Sequence, residues 1–314
     1  MFNRIKQSIR FRYYALRMSK FVWLHVLNRK GYALFKKDRE RNLNEMQKRI
    51  LRDLRKDGIA FAHITDILPQ DEWEALRSYL FRRVNDPATQ ARIEEQRGAQ
   101  FKQEEKYFNI DLVENRVLDL AHPMYHWALN EKILQIANEY MGMWSKFRGV
   151  RMWASLPVPA SAPETASQRW HRDLDDRQLM KTFVYFDDVD ETAGPFHYIR
   201  ESHGGGGKWN SVFPTPFPLG SYPPPGAVEK VIPKEYITKA VGKAGTLIFC
   251  DTSGLHKGGY CTEKNRYMLF CLYASAATID PLGYTYPPKL DTSKLSPRAR
   301  FALQNEGSPK RQRS

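Results

Sequence analysis

The chain has 314 residues, 42% of them hydrophobic and 13% aromatic, enough for one large domain with appendages and too apolar for a disordered chain. Three cysteines, Cys250, Cys261 and Cys271, exclude a disulfide framework at this size; Cys250 and Cys271 sit in apolar runs and read as buried thiols of a reducing, cytoplasmic compartment. The net charge of +14 is uneven: residues 1–56 hold 17 Lys or Arg against 4 Asp or Glu, an excess of 13 that leaves +1 for the other 258 residues, which argues against the whole protein being a nucleic-acid binder.

Residues 1–37, "MFNRIKQSIRFRYYALRMSKFVWLHVLNRKGYALFKK", contain ten basic residues and no acidic one. Phe2, Ile5, Ile9, Tyr13 and Leu16 recur at helical spacing with Arg and Lys between them. A basic amphipathic helix of this kind either lies on an anionic membrane surface or docks its apolar face on its own domain. A nucleic-acid arm and an organelle presequence are the weaker readings. The longest early apolar run, Phe21–Leu27, is far short of the roughly 20 residues of a membrane span, and it lacks the small-residue cleavage site of a secretory signal.

A helix is expected over 43–56, with Leu43, Met46, Ile50 and Leu54 on one stripe and Gly58 ending it. "IAFAHITDIL" alternates as a strand does. Pro69 opens a further helix in "PQDEWEALRSYLFRRV", and residues 130–143 form another. Residues 147–159 read as a strand. From Gln168 to about Ala276 the pattern is β-rich: "LMKTFVYFDDVD", "GPFHYIRESH", "GTLIFCD" and "RYMLFCLYA" each read as a strand. The Gly- and Pro-rich stretch 204–226 reads as irregular and is expected to close over a substrate. There are no internal repeats, and the tail beyond Pro287 is polar with a frayed end.

The chemistry concentrates in "WHRD". Residues i and i+2 on a strand share a side, so His171 and Asp173 reach one metal ion if the stretch lies at a strand end. His256, in "GTLIFCDTSGLHKGG", offers a third ligand, again at the end of a strand. Two His and one carboxylate on one face of a metal leave the opposite positions open, the facial triad of non-haem Fe(II) oxygenases. Arg266, ten residues further on, opens the next strand and suits bidentate capture of a carboxylate, such as that of a 2-oxo acid. Taken singly, each residue has a plainer reading: a polar His171, an acidic turn of Asp173 with Asp175 and Asp176, a loop His256, an Arg266 paired with Glu263. The ordered set is what carries the metal reading.

The set resembles the phytanoyl-CoA dioxygenase-like family of Fe(II)/2-oxoglutarate oxygenases. The resemblance extends over roughly residues 48–276, through "LRKDGIAFAHITDILPQDEWEALRSYL", "ALNEKILQIANEYMG", "QRWHRD", "FVYFDDVDETAGPFHYIRESHGG" and "GTLIFCDTSGLHKGG" followed by Arg266. It implies a mainly β fold with packed helices, a double-stranded β-helix (jelly roll, cupin-like) core carrying N-terminal α-helices. It implies His171, Asp173 and His256 as Fe(II) ligands and Arg266 as the partner of the far carboxylate of 2-oxoglutarate, with O2 as co-reactant. The family's usual Trp on the strand after the first ligands is Phe183 here. The usual "PGSH" is "RESH", with His203 expected to cap a loop, and His197, off the pattern, reads as structural. A Ser is usual two residues after the distal His; Gly258 stands there, which puts one cosubstrate hydrogen bond in question. The intact Asp173 favours hydroxylation over the halogenation of related enzymes that have a small residue in its place.

The expected organisation is a basic amphipathic segment over 1–42, a dioxygenase domain over 43–285 and a polar tail over 286–314. The expected function is hydroxylation of a C–H bond in a small-molecule or lipid-like substrate with release of succinate and CO2. The expected location is cytoplasmic, with peripheral membrane contact through residues 1–37 if that segment binds lipid. The rival readings are a non-catalytic jelly-roll scaffold and a nucleic-acid demethylase of the same superfamily. Against the second, "EKNRYMLFC" lacks the second Arg usual in those enzymes.

Overall fold

The computed structural model describes residues 12–38, 42–98, 108–159, 161–213 and 222–304. Nine strands are described: β1 (Ile59–His63), β2 (Asn109–Asp111), β3 (Lys146–Ser155), β4 (Met180–Tyr185), β5 (Phe196–Ile199), β6 (Ile237–Ala240), β7 (Thr246–Cys250), β8 (His256–Gly258) and β9 (Arg266–Ala274). They form a six-stranded sheet in the order β1-β7-β4-β9-β3-β2 and a three-stranded sheet in the order β6-β5-β8, with every strand pairing antiparallel. The two sheets face each other in the expected jelly-roll arrangement, without closing into a barrel.

The period-2 rule of strands explains how the large sheet serves two cores. On β4, Met180 and Val184 point into a core shared with the helices, together with Leu247, Phe249, Leu269 and Cys271 of the neighbouring strands. Phe183 and Tyr185 point the other way and meet Ile248, Cys250 and Met268, with Phe196, Tyr198 and Ala240 of the small sheet. Both faces of the central strands are covered, which is why "TLIFC" and "RYMLFCLYA" are nearly unbroken apolar runs. The three cysteines are free and buried.

The helices are α1 (Arg29–Lys37), α2 (Glu45–Asp57), α3 (Gln70–Val84), α4 (Pro87–Gly98), α5 (Pro123–Ala128), α6 (Glu131–Met141), α7 (Ala227–Val231) and α8 (Pro297–Leu303). A reciprocal capping box of Asn44 and Gln47 starts α2, and Ile50, Leu51 and Leu54 bury its inner face. Gly58 ends it at φ 78°, a conformation only glycine adopts freely. A Cβ there would lie 2.3 Å from the Tyr198 hydroxyl, so the same glycine lets α2 turn directly into β1 over the small sheet. Ser296 caps α8, which docks on β3 by a 2.8 Å hydrogen bond from Lys146 Nζ to the Phe301 carbonyl.

The basic front segment docks on the domain over its described part. Residues 12–18 are helical, Val22–Leu27 is a π-helix and α1 follows. Trp23 and Phe35 are buried. Tyr13 and Leu16 remain exposed, while Phe2, Ile5 and Ile9 of the expected apolar stripe lie outside the described residues. So do 214–221 of the Gly/Pro stretch and the "SPKRQRS" end. No helix among the described residues is long and apolar enough to cross a membrane.

Candidate metal centre

The sequence spacing places His171 and His256 far apart in the chain, and backbone pairing brings them together. Each donates its N–H to the other's carbonyl at 2.9 Å, an isolated antiparallel bridge that extends the small sheet beyond β8. Two details differ from the expectation. His256 does not end the strand "GTLIFC"; that strand, β7, stops at Cys250, and a turn at 251–255 carries the chain to the other sheet, where His256 opens β8. "WHRD" likewise contributes one bridge and no strand of its own, and Asp173 is held by its N–H to the Thr252 carbonyl at 2.8 Å.

Arg172, between the two, points away from the cavity and is anchored on four carbonyls. Its guanidinium donates to Ser202, to Ser253 at 2.9 Å, to Trp209 at 3.1 Å and to Val212 at 3.0 Å. Beneath the 251–255 turn, Asp251 accepts from the Tyr140 hydroxyl at 2.7 Å and from the Ser253 N–H at 2.9 Å. His203 is buried and its Nε2 lies 3.2 Å from the Arg55 carbonyl, so the ring caps the last turn of α2 where a loop cap was expected. The loop after Asp173 is tied to the front segment. Trp23 Nε1 donates to Asp176 at 2.6 Å, and the Ser275 N–H donates to the same carboxylate at 2.7 Å.

Both imidazoles are fixed from behind. His171 Nδ1 lies 2.8 Å from the Arg169 carbonyl and His256 Nδ1 2.9 Å from the Gly254 carbonyl. A carbonyl only accepts, so Nδ1 carries the proton and Nε2 presents its lone pair. His171 Nε2 is 3.9 Å from Asp173 Oδ1 and His256 Nε2 is 3.8 Å from Asp173 Oδ2. One ligand atom from each residue lies within 4.8 Å of the others. Burial, reinforced by His171, pushes the His256 imidazole down to about 3, so it is neutral at pH 7. Burial would raise Asp173, but the Lys181 ammonium hydrogen-bonded to it outweighs that and holds the carboxylate well below its usual range. Two imidazoles with Nδ1 held by carbonyls, one of them neutral, beside an ionised Asp form a donor set that suits a divalent metal.

The triad lines a cavity of about 570 Å³. Trp153, Phe183, Phe196, Tyr222 and Phe270 form the aromatic part of its wall; Phe183, in the place of the family's usual Trp, lies 4.9 Å from Phe196 with the rings tilted. Arg266 enters the same cavity from the start of β9, only 4% exposed. Its Nη2 donates to Ser155 Oγ at 3.3 Å, whereas Nε and Nη1 are buried with no acceptor among the described residues. Glu263 does not pair with it. A buried guanidinium with open donors is built for an incoming anion.

Two cavity residues were not foreseen. Lys181 lies on β4 with its Nζ 2.6 Å from Asp173 Oδ2, and Asp173 overcomes the burial that opposes its charge. A lone Lys inside the apolar run "LMKTFVYF" was the available signal. The other is Gln168, the first residue of "QRWHRD", buried beside Gly258.

The model of the phytanoyl-CoA dioxygenase family matches residues 54–266, more than half of the chain. No curated protein matches the sequence. Among solved structures, EctD from S. alaskensis with 2-oxoglutarate and 5-hydroxyectoine is similar with a TM-score of 0.52 at 16% identity, over 87% of this chain and 87% of that chain. The epimerase SnoN, solved with Fe3+, alpha-ketoglutarate and nogalamycin RO, is similar with a TM-score of 0.50 at 15% identity, over 78% of this chain and 96% of that chain. At these identities the likeness is one of fold.

Proposed function

The chain belongs to the phytanoyl-CoA dioxygenase family, and from that premise we propose that His171, Asp173 and His256 bind Fe(II) and that Arg266 binds the far carboxylate of 2-oxoglutarate. Its class is that of the Fe(II)- and 2-oxoglutarate-dependent oxygenases. The observation that carries the reading is the pair of imidazoles with Nδ1 tied to backbone carbonyls and Nε2 turned to one carboxylate, all within 4.8 Å. The reaction we assign is hydroxylation of a C–H bond in a small-molecule or lipid-like substrate. Bound Fe(II) with 2-oxoglutarate and O2 supplies the oxidation, releasing succinate and CO2.

The chain's own residues supply position and exclusion of water. Arg172 and Asp251 fix the two backbone segments that carry the ligands. Arg266 orients the cosubstrate by a two-pronged contact. The aromatic walls dry the cavity and seat an apolar substrate body. Dialysis of the full chain against anaerobic Fe(II) should leave one iron per chain, lost in His256→Ala; equal iron in the variant would refute the ligand assignment. A scaffold would retain none. Oligonucleotide binding that weakens with salt would instead support the nucleic-acid reading.

A second reading concerns location. Among the described residues, five of the eleven exposed large hydrophobics, Tyr13, Leu16, Phe21, Val26 and Leu27, fall in the front segment, among exposed Arg12, Lys20, Arg29 and Lys30. This supports peripheral contact with an anionic membrane from a cytoplasmic location. Full-length protein should sediment with phosphatidylserine-containing vesicles but not with phosphatidylcholine alone. Leu16→Asp/Phe21→Asp should abolish the binding; equal sedimentation of variant and wild type would remove the idea.

A further inference from the structure

The large sheet carries its side chains across the cavity in rows. Phe183 on β4 pairs with Phe270 on β9, and Phe270 pairs in turn with Arg151 on β3. The next row runs from Met268 to Trp153. Phe183, Phe270, Met268 and Trp153 line the cavity, and residues two apart on a strand share a side. Arg151 therefore stands on the cavity face, one step along β3 from Trp153 and beside Phe270. Trp153 packs on Phe270 with ring centroids 5.0 Å apart.

Two donors on this flank are open. Trp153 Nε1 and Arg151 Nη1 are buried and have no acceptor among the described residues, a costly state for a donor. The neighbouring carboxylates are engaged elsewhere or held back. Asp111, opposite Trp153 on β2, accepts from Arg116 and from the Val113 N–H at 2.9 Å. Asp280 begins a segment fastened to the edge of β3: Arg148 Nη2 donates to the Asp280 carbonyl, and the Gly283 N–H donates to the Arg148 carbonyl at 2.7 Å. A Cβ on Gly149 would lie 3.1 Å from Gly283 Cα, and a Cβ on Gly283 would lie 3.8 Å from Arg151 Nη2, so this segment confines the guanidinium against the strand. Burial, reinforced by Arg116, pulls Arg151 below its usual range, and Asp111 and Asp280 offset only part of that.

We infer that the substrate is an apolar carboxylic acid, its carboxylate taken by Arg151 and Trp153 Nε1 and its body lying over Phe270 towards the triad. The inference rests on the Fe(II)/2-oxoglutarate reading proposed above and names the substrate class for it. This anion site is distinct from Arg266, which pairs with Ser155, four residues and roughly 13 Å along β3 from Arg151. A carboxylate fits better than a phosphate, because Asp111 and Asp280 repel a second negative charge.

The experiment is calorimetric titration of three apolar acids (phenylacetate, 4-phenylbutyrate and decanoate) into the full-length protein. It is run anaerobically with saturating Fe(II) and 2-oxoglutarate, so that Arg266 is already occupied. At least one acid should bind about tenfold more tightly than its primary amide, the difference expected for a hydrogen bond to a charged group. Arg151→Met should abolish that preference. Trp153→Phe, which keeps a ring and removes the donor, should weaken binding of the acid several-fold. Neither should change the half-saturating 2-oxoglutarate concentration, a readout that a general loss of structure would move. Failure of all three acids to bind at millimolar concentration, equal binding of acid and amide, or a preference that survives Arg151→Met overturns the inference and leaves the iron reading intact. Tighter binding of 4-phenylbutyl phosphate than of 4-phenylbutyrate overturns the choice of a carboxylate. The absence of a charge-transfer band with Fe(II) and 2-oxoglutarate in the wild type is the separate result that overturns the iron reading.

Discussion

Replacing Lys181 with Met keeps the length of the side chain and deletes its ammonium. In the metal-free protein, Asp173 then loses the cation 2.6 Å from its Oδ2. The two side chains are only 17% and 15% exposed, so solvent screens the pair little. Deleting one partner of a buried pair costs about 3–5 kcal/mol, because the remaining charge is stranded. Unfolding entropy for a chain of this length is about 0.7 kcal/mol per degree, so Tm should fall by roughly 4–7 °C. A divalent metal supplies the counter-charge that Lys181 gave. Anaerobic Fe(II) should therefore raise Tm more in Lys181→Met than in the wild type. Scanning calorimetry with and without Fe(II) measures both effects. A metal-free variant that melts with the wild type, or an equal Fe(II)-induced rise in the two proteins, would refute the reasoning.

Gly58→Ala should destabilise the protein by about 2–4 kcal/mol in urea titrations, since it meets both the positive φ and the Tyr198 hydroxyl; a change under 0.5 kcal/mol would contradict the turn described. Trp23→Phe keeps the apolar ring and removes the donor to buried Asp176. It should cost about 1–3 kcal/mol and weaken Fe(II) binding several-fold by loosening the loop after Asp173; unchanged Fe(II) affinity would separate the front segment from the site. Burial, with help from Lys257, pushes His197 down to about 4 from 6.5. Between those values the unfolded chain takes up a proton that the folded one does not, so stability present above pH 6.5 is lost as the pH falls towards 4, by up to about 3 kcal/mol. His197→Gln should flatten that part of the stability–pH curve, and parallel curves would count against it.

The strands that build the site were legible because burial on both faces writes unbroken apolar runs. The helices that begin at Asn44 and Pro69 were legible because their caps and stripes are local. The short elements were not. The three residues of β8, the four of β6 and the seven of α8 owe their form to pairing and docking, which no window of that length records. The triad was readable as three residue types in order, but its closeness depends on the His171–His256 backbone bridge at the edge of the small sheet. The front segment left two outcomes open, because an apolar stripe does not say what covers it. Trp23 turned out to be covered by the protein itself, and Phe21 and Leu16 were left outside. Lys181 matters through its contact with Asp173, 8 residues away in the chain, which local patterning does not record.

The most direct test of the site is anaerobic titration of the full-length protein with Fe(II) and 2-oxoglutarate, with His171→Ala and Arg266→Ala measured beside it. The expected result is a visible charge-transfer band that vanishes in His171→Ala and needs far more 2-oxoglutarate in Arg266→Ala. A folded wild type that gives no band, or a band indifferent to both substitutions, would contradict the assignment of this cavity as an iron and 2-oxoglutarate site.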